Sequence, residues 1–187
     1  MSIKNYIKVV DGVLPINTIS QLIKYSSQLN FDQALTIGNK DKEKVKSVRN
    51  TKSYHLNKYF QTMSDSHWFN LIESVFRKEF VKYREVFREA NFKSVIDIAV
   101  LKYEEGGFYQ YHIDHHATVP RTMSAILTLN NDYEGGELSF FDELTKEETI
   151  IHPKPGRLII WPSNFIFPHK VNSVKKGTRY SVVIWAL

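Results

Sequence analysis

The 187-residue chain is predicted to fold as an α+β domain with a mostly-β core. Apolar residues recur at helical spacing within residues 1–94, whereas short strand-like runs separated by turns fill residues 95–187. Such a series of short strands is typical of a double-stranded β-helix, or jelly roll. The length suits a single domain over residues 1–187, with helical support in 1–94 and the jelly-roll core in 95–187.

Two segments of the first half carry the helical pattern. Residues 15–29 begin at Pro15, a residue that suits the start of a helix. The apolar positions at helical spacing in this segment are Ile16, Ile19, Leu22, Ile23 and Leu29. Residues 65–90 are predicted to form a longer amphipathic helix or a helix pair, with an aromatic stripe typical of core packing. We expect these N-terminal helices to pack on the outer face of one sheet.

Strand signals begin at residue 95 and are separated by turn sequences such as Glu134-Gly135-Gly136. The predicted strands are 95–103, 108–114, 122–130, 136–141, 147–151, 157–162, 165–169 and 178–186.

Composition limits the possible classes of protein. Hydrophobic residues make up 42% of the chain and aromatic residues 13%, as in a globular protein rather than a disordered one. The chain contains no cysteine, which excludes disulfides, thiolate metal sites and cysteine nucleophiles. No apolar run approaches the roughly 20 residues of a membrane span, and the N-terminal segment lacks the apolar core of a signal peptide. We therefore expect a soluble, cytoplasmic protein.

The formal net charge is +5, and much of the positive charge lies in residues 38–58. Such a segment can attract an acidic substrate or nucleic acid, or can be a solvated loop. Because it contains Val48-Arg49-Asn50-Thr51, a lid over a site is a further interpretation. No regular basic-aromatic stripe accompanies it, so the sequence disfavours a dedicated nucleic-acid module.

The central chemical feature is His112-Ile113-Asp114, followed by His169 on a later strand. Residues two apart in a strand point to the same face, so His112 and Asp114 can direct an imidazole and a carboxylate to one point. Two histidines and one carboxylate make a facial triad, which leaves positions open on an oxygen-activating iron(II). The same ligand set can also hold zinc.

A buried cation is predicted in the same barrel. Arg179 lies ten residues after His169, across a Lys175-Lys176-Gly177 turn. If the two strands are antiparallel neighbours, Arg179 lies deep in the barrel and needs an anionic partner. Its planar guanidinium fits a carboxylate at two points.

The remaining histidines are assigned no metal. His116 shares the face of His112 and Asp114 only if the strand continues, whereas His115 points away. Ordinary surface or core roles are expected for the others, which are His55, His67 and His152.

Several segments together resemble the 2-oxoglutarate/iron(II) dioxygenases of the prolyl 4-hydroxylase type. Residues 103–114 are similar to the family's Y-x-x-G-x-x-Y-x-x-H-x-D signature, and residues 134–140 to its E-G-G-E-L-x-F hairpin. Residues 155–158, 169–171 and 177–181 resemble its P-G-x-L, H-x-V and G-x-R-x-S elements. The likeness covers about residues 95–187, and the first half resembles the family in pattern only.

The resemblance implies roles for the metal and the cosubstrate. His112, Asp114 and His169 are expected to bind Fe(2+), which works with 2-oxoglutarate and O2, with ascorbate as a reductant. Arg179 is expected to bind the distal carboxylate of 2-oxoglutarate, and the Tyr103 hydroxyl to help hold it. The family's animal and plant prolyl 4-hydroxylases typically have lysine at the position of Arg179, which leaves the chemistry unchanged but weakens the inference to proline.

The substrate side is implied more weakly. Trp185 matches an aromatic residue near the iron, while Tyr111 can pack on a proline ring and Arg49 can contact a peptide. The resemblance implies hydroxylation of an unactivated C–H, with a peptidyl proline of a peptide or protein as the first expectation. Another amino acid, a small molecule or a nucleobase remains an alternative, as does a non-catalytic jelly-roll binding protein. Position 185 lacks the second arginine usual in nucleic-acid demethylases of the superfamily, which disfavours the nucleobase.

Overall fold

A computed structural model describes residues 2–36, 45–56 and 62–187. Its helices include a 3₁₀ helix at Ile3–Tyr6, α1 at Ile16–Ser27 and α2 at Met63–Val86. The strands of the first half are β1 (Lys8–Val10), β2 (Asp32–Gln33), β3 (Arg49–Asn50) and β4 (Lys52–His55). Those of the second half are β5 (Val95–Tyr103), β6 (Phe108–His112), β7 (Met123–Thr128), β8 (Glu134–Gly135), β9 (Leu138–Asp142), β10 (Glu147–Ile151), β11 (Leu158–Pro162), β12 (His169–Val171), β13 (Val174–Lys176) and β14 (Arg179–Ala186).

The strands form two main sheets. One has seven strands in the order β1-β11-β7-β14-β5-β4-β2, and the other has five in the order β10-β9-β12-β6-β3. A separate pair joins β8 and β13. All the named pairings between these strands are antiparallel.

The two helices cover the outer face of the seven-stranded sheet. In α1 the buried apolar residues are Ile19 and Leu22, and in α2 Thr62 accepts a hydrogen bond from the Asp65 N–H at 3.1 Å and so caps the first turn. The aromatic stripe of α2 is buried against this face, as its spacing predicts. The layer is built from alternate residues of the central strands, including Ile98, Val100, Leu127, Val182 and Ile184.

A second apolar core lies between the two sheets. It joins inward-facing residues of the seven-stranded sheet to Leu138, Phe140 and Val171 of the five-stranded sheet. The mostly-β fold with helices on one sheet therefore agrees with the predicted fold class. No helix in the described parts of the chain is long and apolar enough to cross a membrane.

The structure departs from the sequence-based strands in several places. The run predicted at 165–169 is strand only from His169, because the Asn164 side chain and carbonyl accept the N–H groups of Ile166 and Phe167 and hold a turn. The run predicted at 108–114 ends at His112. Strands β1 to β4 were missed, since each has only two to four residues, and they extend both sheets from a half read as helical.

The basic segment 38–58 is only partly covered by the structure. Its described residues are 45–56, which include β3 and β4 at the edge regions of the two sheets. Residues 38–44 and 57–58 lie outside the described residues, so the prediction of a lid is not addressed there.

Candidate active site

The inner face of the seven-stranded sheet carries a row of paired residues along β5 and β14. Register pairs Tyr103 with Arg179 at one end and Asp97 with Trp185 at the other. Alternation along each strand puts these side chains on the face whose intervening residues form the core between the sheets. We call the Tyr103–Arg179 end the deep end and the Asp97–Trp185 end the mouth.

His112, Asp114 and His169 meet opposite this row. The last residue of β6 and the first of β12 are paired in register, so both imidazoles lie side by side. His112 Nε2 lies 3.8 Å from Asp114 Oδ1, and His169 Nε2 lies 3.5 Å from Asp114 Oδ2. The three ligand atoms lie within 4.8 Å of one another. The structure thus brings together the three residues that the sequence selects, although Asp114 lies just beyond the strand rather than in it.

Backbone carbonyls orient both imidazoles. The Nδ1 atom of His112 hydrogen-bonds the Gln110 carbonyl at 2.8 Å, and that of His169 hydrogen-bonds the Phe167 carbonyl at 3.0 Å. A carbonyl only accepts, so Nδ1 carries the hydrogen and Nε2 is left as a free ligand atom. Each ring therefore presents the atom that faces Asp114.

Electrostatics favour the protonation state that binds a cation. Burial, reinforced by His169, lowers the pKa of His112 to about 3, which keeps the imidazole neutral. Burial alone would raise the pKa of Asp114, but its interactions with His169, His112 and Ser124 hold that pKa below its usual range. Neutral imidazole and ionised carboxylate are the forms that coordinate a metal.

The donor set fits an iron(II) ion. Asp114 Oδ2 is fully buried and has no hydrogen-bond partner among the described residues. A buried carboxylate oxygen without a partner is costly unless a cation neutralises it. Two neutral nitrogen ligands and one carboxylate oxygen, converging from one side, match the ligand set of a facial triad.

The deep end carries a second uncompensated charge. Arg179 is buried, its Nη1 donates to Ser181 Oγ at 2.7 Å, and its guanidinium carbon lies 4.9 Å from the centre of the Tyr103 ring. Its Nε has no partner, and no carboxylate of the described residues lies within ion-pair distance. A buried guanidinium in this state fits a carboxylate ligand that enters from the cavity.

The predicted pairing of the strands that carry His169 and Arg179 was wrong. Arg179 and His169 do not lie on neighbouring strands, because β14 belongs to the seven-stranded sheet and β12 to the five-stranded one. Strand β13, between them in sequence, pairs with β8 instead. Arg179 still lies on the inner face of the seven-stranded sheet against the Tyr103 ring, and Tyr103 lines a small cavity with His169.

The mouth opens into a cavity of about 390 Å³. The three predicted substrate-side residues, Tyr111, Trp185 and Arg49, all line it together with His112 and Asp114. They differ in exposure, since Trp185 and Arg49 are buried whereas Tyr111 is 43% exposed. The Tyr111 hydroxyl donates to Glu148 at 2.7 Å, so this residue belongs to the outer wall.

Other cavity residues were not found from the sequence. The Arg121 guanidinium lies 4.0 Å from the centre of the Trp185 ring, and its Nη1 donates to the Asp114 carbonyl at 3.4 Å. The Tyr109 ring stacks on His112 with centroids 3.5 Å apart, and Arg49 covers its other side at 4.6 Å. Tyr109 belongs to the family motif at residues 103–114. Only its spacing from His112 in that motif indicates that its ring stacks on the imidazole.

Three histidines with no predicted role, His55, His115 and His116, also line the cavity. His116 Nδ1 accepts from the Thr118 hydroxyl at 2.8 Å and is not part of the three-residue ligand group. His55 Nδ1 lies 2.9 and 2.8 Å from the two carboxylate oxygens of Asp97, which makes a paired imidazole rather than an isolated one. No sequence motif signals this pair, because its members are 42 residues apart.

Comparison with known proteins identifies the relationship. The sequence model of the 2OG-Fe(II) oxygenase superfamily matches residues 98–187. The match covers just under half of the chain. The stretch includes the triad and Arg179, so the family resemblance stated from the motifs is confirmed.

Sequence relatives and solved structures extend the comparison. The chain is 44% identical over 66 residues to human prolyl 3-hydroxylase 2, a match that covers 35% of this chain and 9% of that protein. It is 32% identical over 102 residues to a PKHD-type hydroxylase of Rippkaea orientalis, covering 50% of this chain and 43% of that protein. The matches thus span less than half the length of these relatives.

The fold is shared with solved superfamily structures over almost the whole chain. A prolyl hydroxylase of Trichoplax adhaerens, in complex with a hypoxia inducible factor oxygen degradation domain peptide fragment, superposes with a TM-score of 0.79 at 18% identity, covering 98% of this chain and 84% of that one. A viral collagen prolyl hydroxylase from Paramecium Bursaria Chlorella virus-1, in its 2OG complex, gives 0.69 at 20% identity, covering 97% and 95%. The helices and edge strands before residue 98 therefore belong to the shared fold.

Proposed function

We propose that the protein is a 2-oxoglutarate- and iron(II)-dependent oxygenase that hydroxylates an unactivated C–H, in the first place that of a peptidyl proline. One observation carries the proposal. The triad of His112, Asp114 and His169 lines a small interior cavity together with Tyr103, and the unpaired Arg179 lies against the Tyr103 ring. A metal site alone fits several chemistries, whereas a metal site with a buried cation beyond it fits a metal-chelating dicarboxylate.

Separate groups of residues bind 2-oxoglutarate and the iron. Arg179 anchors the distal carboxylate of 2-oxoglutarate, and Ser181 and Tyr103 fix the guanidinium in place. His112, Asp114 and His169 hold the iron at the other end of the cosubstrate. When bound, the iron and 2-oxoglutarate supply the activation of dioxygen and the removal of hydrogen from carbon. The apolar core between the sheets excludes bulk water from this space.

We propose the double-stranded β-helix as the architecture of the two facing sheets, within one domain over residues 1–187. This arrangement explains why residues far apart in sequence, such as His112 and Arg179, face the same interior. Ascorbate is proposed as the reductant that keeps the iron in the ferrous state between turnovers.

A peptidyl proline is favoured by the activities for which the relatives are named and by the residues that line the cavity. The relatives named above are prolyl 3-hydroxylase and PKHD-type hydroxylases, and the superposed structures are prolyl hydroxylases. Buried Trp185 offers a ring face for an apolar ring, and Arg49 and Arg121 offer donors for peptide carbonyls. A peptide in polyproline conformation is pre-ordered, so little entropy is lost when it binds.

The alternatives differ in what they leave unexplained. A zinc hydrolase would use the triad but give no role to Arg179. A non-catalytic binding protein would need neither the free Nε2 atoms nor the buried unpartnered Asp114 oxygen. An oxygenase of another amino acid, a small molecule or a nucleobase would use the same interior and differ only at the mouth.

The experiment is a substrate screen with the iron-loaded protein, 2-oxoglutarate and ascorbate. Proline-containing peptides, free amino acids and methylated oligonucleotides are incubated separately, and succinate release and mass spectra are recorded. Gain of one oxygen atom on a peptide proline, with matching succinate, is the expected result, and nuclear magnetic resonance then gives the hydroxylated carbon. Oxidation of a nucleobase or free amino acid with unmodified peptides would overturn the proline assignment.

A further inference from the structure

The mouth of the cavity contains a histidine–aspartate pair that the oxygenase chemistry does not use. His55 is the last residue of β4 and Asp97 lies in the neighbouring strand β5, where both side chains line the cavity with His112 and Trp185. The pair is well defined, with His55 Nδ1 within 2.9 Å of both carboxylate oxygens. Neither residue belongs to the metal-binding group.

The aspartate fixes which nitrogen of His55 is available. The carboxylate accepts the Nδ1 hydrogen, so in the neutral imidazole Nε2 carries no hydrogen and presents its lone pair. Among the residues that the structure describes, Nε2 makes no hydrogen bond. The side chains of His55 and Asp97 are 32% and 19% exposed, so the imidazole is held at the wall while remaining accessible to a ligand.

The cavity therefore offers two kinds of polar group to a peptide. Arg49 and Arg121 are donors only and suit carbonyl oxygens, whereas His55 Nε2 is an acceptor and suits an N–H. A peptide in polyproline conformation has no internal hydrogen bonds, so its main-chain N–H groups are free. Proline itself lacks an N–H, so an acceptor at a fixed place can contact only its neighbours.

We propose that His55, held by Asp97, accepts a hydrogen bond from a main-chain N–H of a residue beside the target proline, and so sets the register of the peptide at the mouth. This inference rests on the proposed peptide substrate. His55 is then a specificity-determining residue that touches the substrate, and Asp97 is a positioning residue that acts through it.

The test uses N-methylated peptides. Short fluorescent peptides with one proline between alanines are prepared unmodified and with a single N-methyl group at each flanking position in turn. Their dissociation constants are measured by fluorescence anisotropy with the iron-loaded protein and 2-oxoglutarate without oxygen, and turnover is measured separately. One neutral hydrogen bond corresponds to about a 3- to 10-fold change in affinity.

The variants are His55→Ala, His55→Phe, which keeps a ring but no acceptor, and Asp97→Asn. We expect wild type to lose about 3- to 10-fold in affinity at one methylated position. Both His55 variants should bind the unmodified peptide that much more weakly and show no further loss at that position. Asp97→Asn should give a smaller loss, and the double variant should be no worse than His55→Ala alone, because the two residues act as one unit.

Glu104→Gln is the matched control. It removes ion pairs to Lys52 and Lys102 on the same two strands but lies outside the cavity, so peptide affinity should not change. Succinate release without peptide should also match wild type in this control variant. A merely structural role would lower the thermal midpoint and leave the penalty of the methyl group in place.

Three results would overturn the inference. The first is wild-type peptide affinity in both His55 variants, and the second is a methyl penalty that persists in them. The third is a wild-type protein that consumes 2-oxoglutarate but neither binds nor hydroxylates any peptide, and only this result would also remove the proposed peptide substrate.

Discussion

The deep end and the mouth lie on the same two strands, yet their charges are satisfied differently. At the deep end Arg179 is buried and has no carboxylate partner among the described residues, whereas at the mouth Asp97 is paired with His55. A buried unpaired cation needs one particular kind of ligand, and a pre-formed pair at a partly exposed rim contributes weaker, more adjustable contacts. The comparison separates a buried cation that requires an anionic ligand from a rim pair that can adjust to different ligands.

The largest effect should come from the metal ligands between the two ends. Asp114→Ala should lower metal affinity by more than about 100-fold, because even the loss of an outer-shell partner of a metal ligand costs roughly 10–100-fold. Titration of the apo-protein with manganese(II), followed by calorimetry, gives the affinity, and succinate release should be abolished. The thermal midpoint of the apo-protein should be retained, since the variant removes a buried oxygen that has no partner.

Glu143→Ala, at an exposed carboxylate paired with Lys146, is the control and should bind metal as wild type does. Unchanged manganese affinity in Asp114→Ala would mean that another residue supplies the carboxylate ligand.

The second largest effect should come from Arg179→Ala at the deep end. A buried anion that loses its cationic partner corresponds to about 2–5 kcal/mol, which raises the KM for 2-oxoglutarate by roughly 30- to several-thousand-fold. Arg179→Lys should be milder but not neutral, because an ammonium group lacks the two-point geometry. Steady-state kinetics over a range of 2-oxoglutarate concentrations measure the effect.

Arg157→Ala removes a guanidinium that pairs with Asp11 on the surface and should leave this KM unchanged. Wild-type dependence on 2-oxoglutarate in Arg179→Ala would place the anchor elsewhere.

A substitution at the mouth should change the KM for peptide rather than the KM for 2-oxoglutarate. Trp185→Phe keeps an aromatic ring in the core but shortens the face that Arg121 covers, so we expect the peptide KM to rise by about tenfold at most. The KM for 2-oxoglutarate should stay within about twofold of wild type, since a change at the mouth removes only a weak contact. Parallel kinetics with varied peptide and varied 2-oxoglutarate separate the two. A comparable rise in both constants would show that the ends are not independent.

The smallest expected effect at the deep end comes from Gly136, which lies beside Arg179. Gly136 has a φ of +66°, and a Cβ there would lie 3.1 Å from Arg179 Cδ and 3.0 Å from the Tyr133 ring. Gly136→Ala should displace the arginine and raise the KM for 2-oxoglutarate by about 3- to 10-fold, the size of one hydrogen bond. Gly12→Ala has a similar φ of +67° but open space around its Cβ, so it should affect stability only. Equal KM values in the two variants would remove the steric argument.

The sequence predicted the chemistry of the deep end and the triad better than that of the mouth. His112, Asp114, His169 and Arg179 stand in spaced motifs, and long strands such as β5 and β14 have a clear alternation of side chains. The sheet to which each strand belongs was not predictable in this way, so Arg179 was expected beside His169 rather than across from it. Spacing along a chain does not determine which strands pair.

The mouth depends on contacts between residues that carry no motif. His55 and Asp97 meet only because β4 adds to the edge of β5, and β4 has four residues with weak strand pattern. Arg121 lies in the loop just before β7 and contacts Trp185 on the neighbouring strand β14. Contacts of this kind follow from tertiary pairing, which is why Arg179 and the triad could be selected from the sequence and the His55–Asp97 pair could not.

The most direct test of the central claim uses isotopically labelled dioxygen with the iron-loaded protein, 2-oxoglutarate and a proline-containing peptide. If the triad and Arg179 form one oxygenase site, mass spectrometry should find one labelled oxygen atom in succinate and one in the hydroxylated peptide, in equal amounts. Asp114→Ala and Arg179→Ala should suppress both products together. Metal-loaded protein that leaves 2-oxoglutarate intact, or product oxygen that comes only from water, would contradict the account.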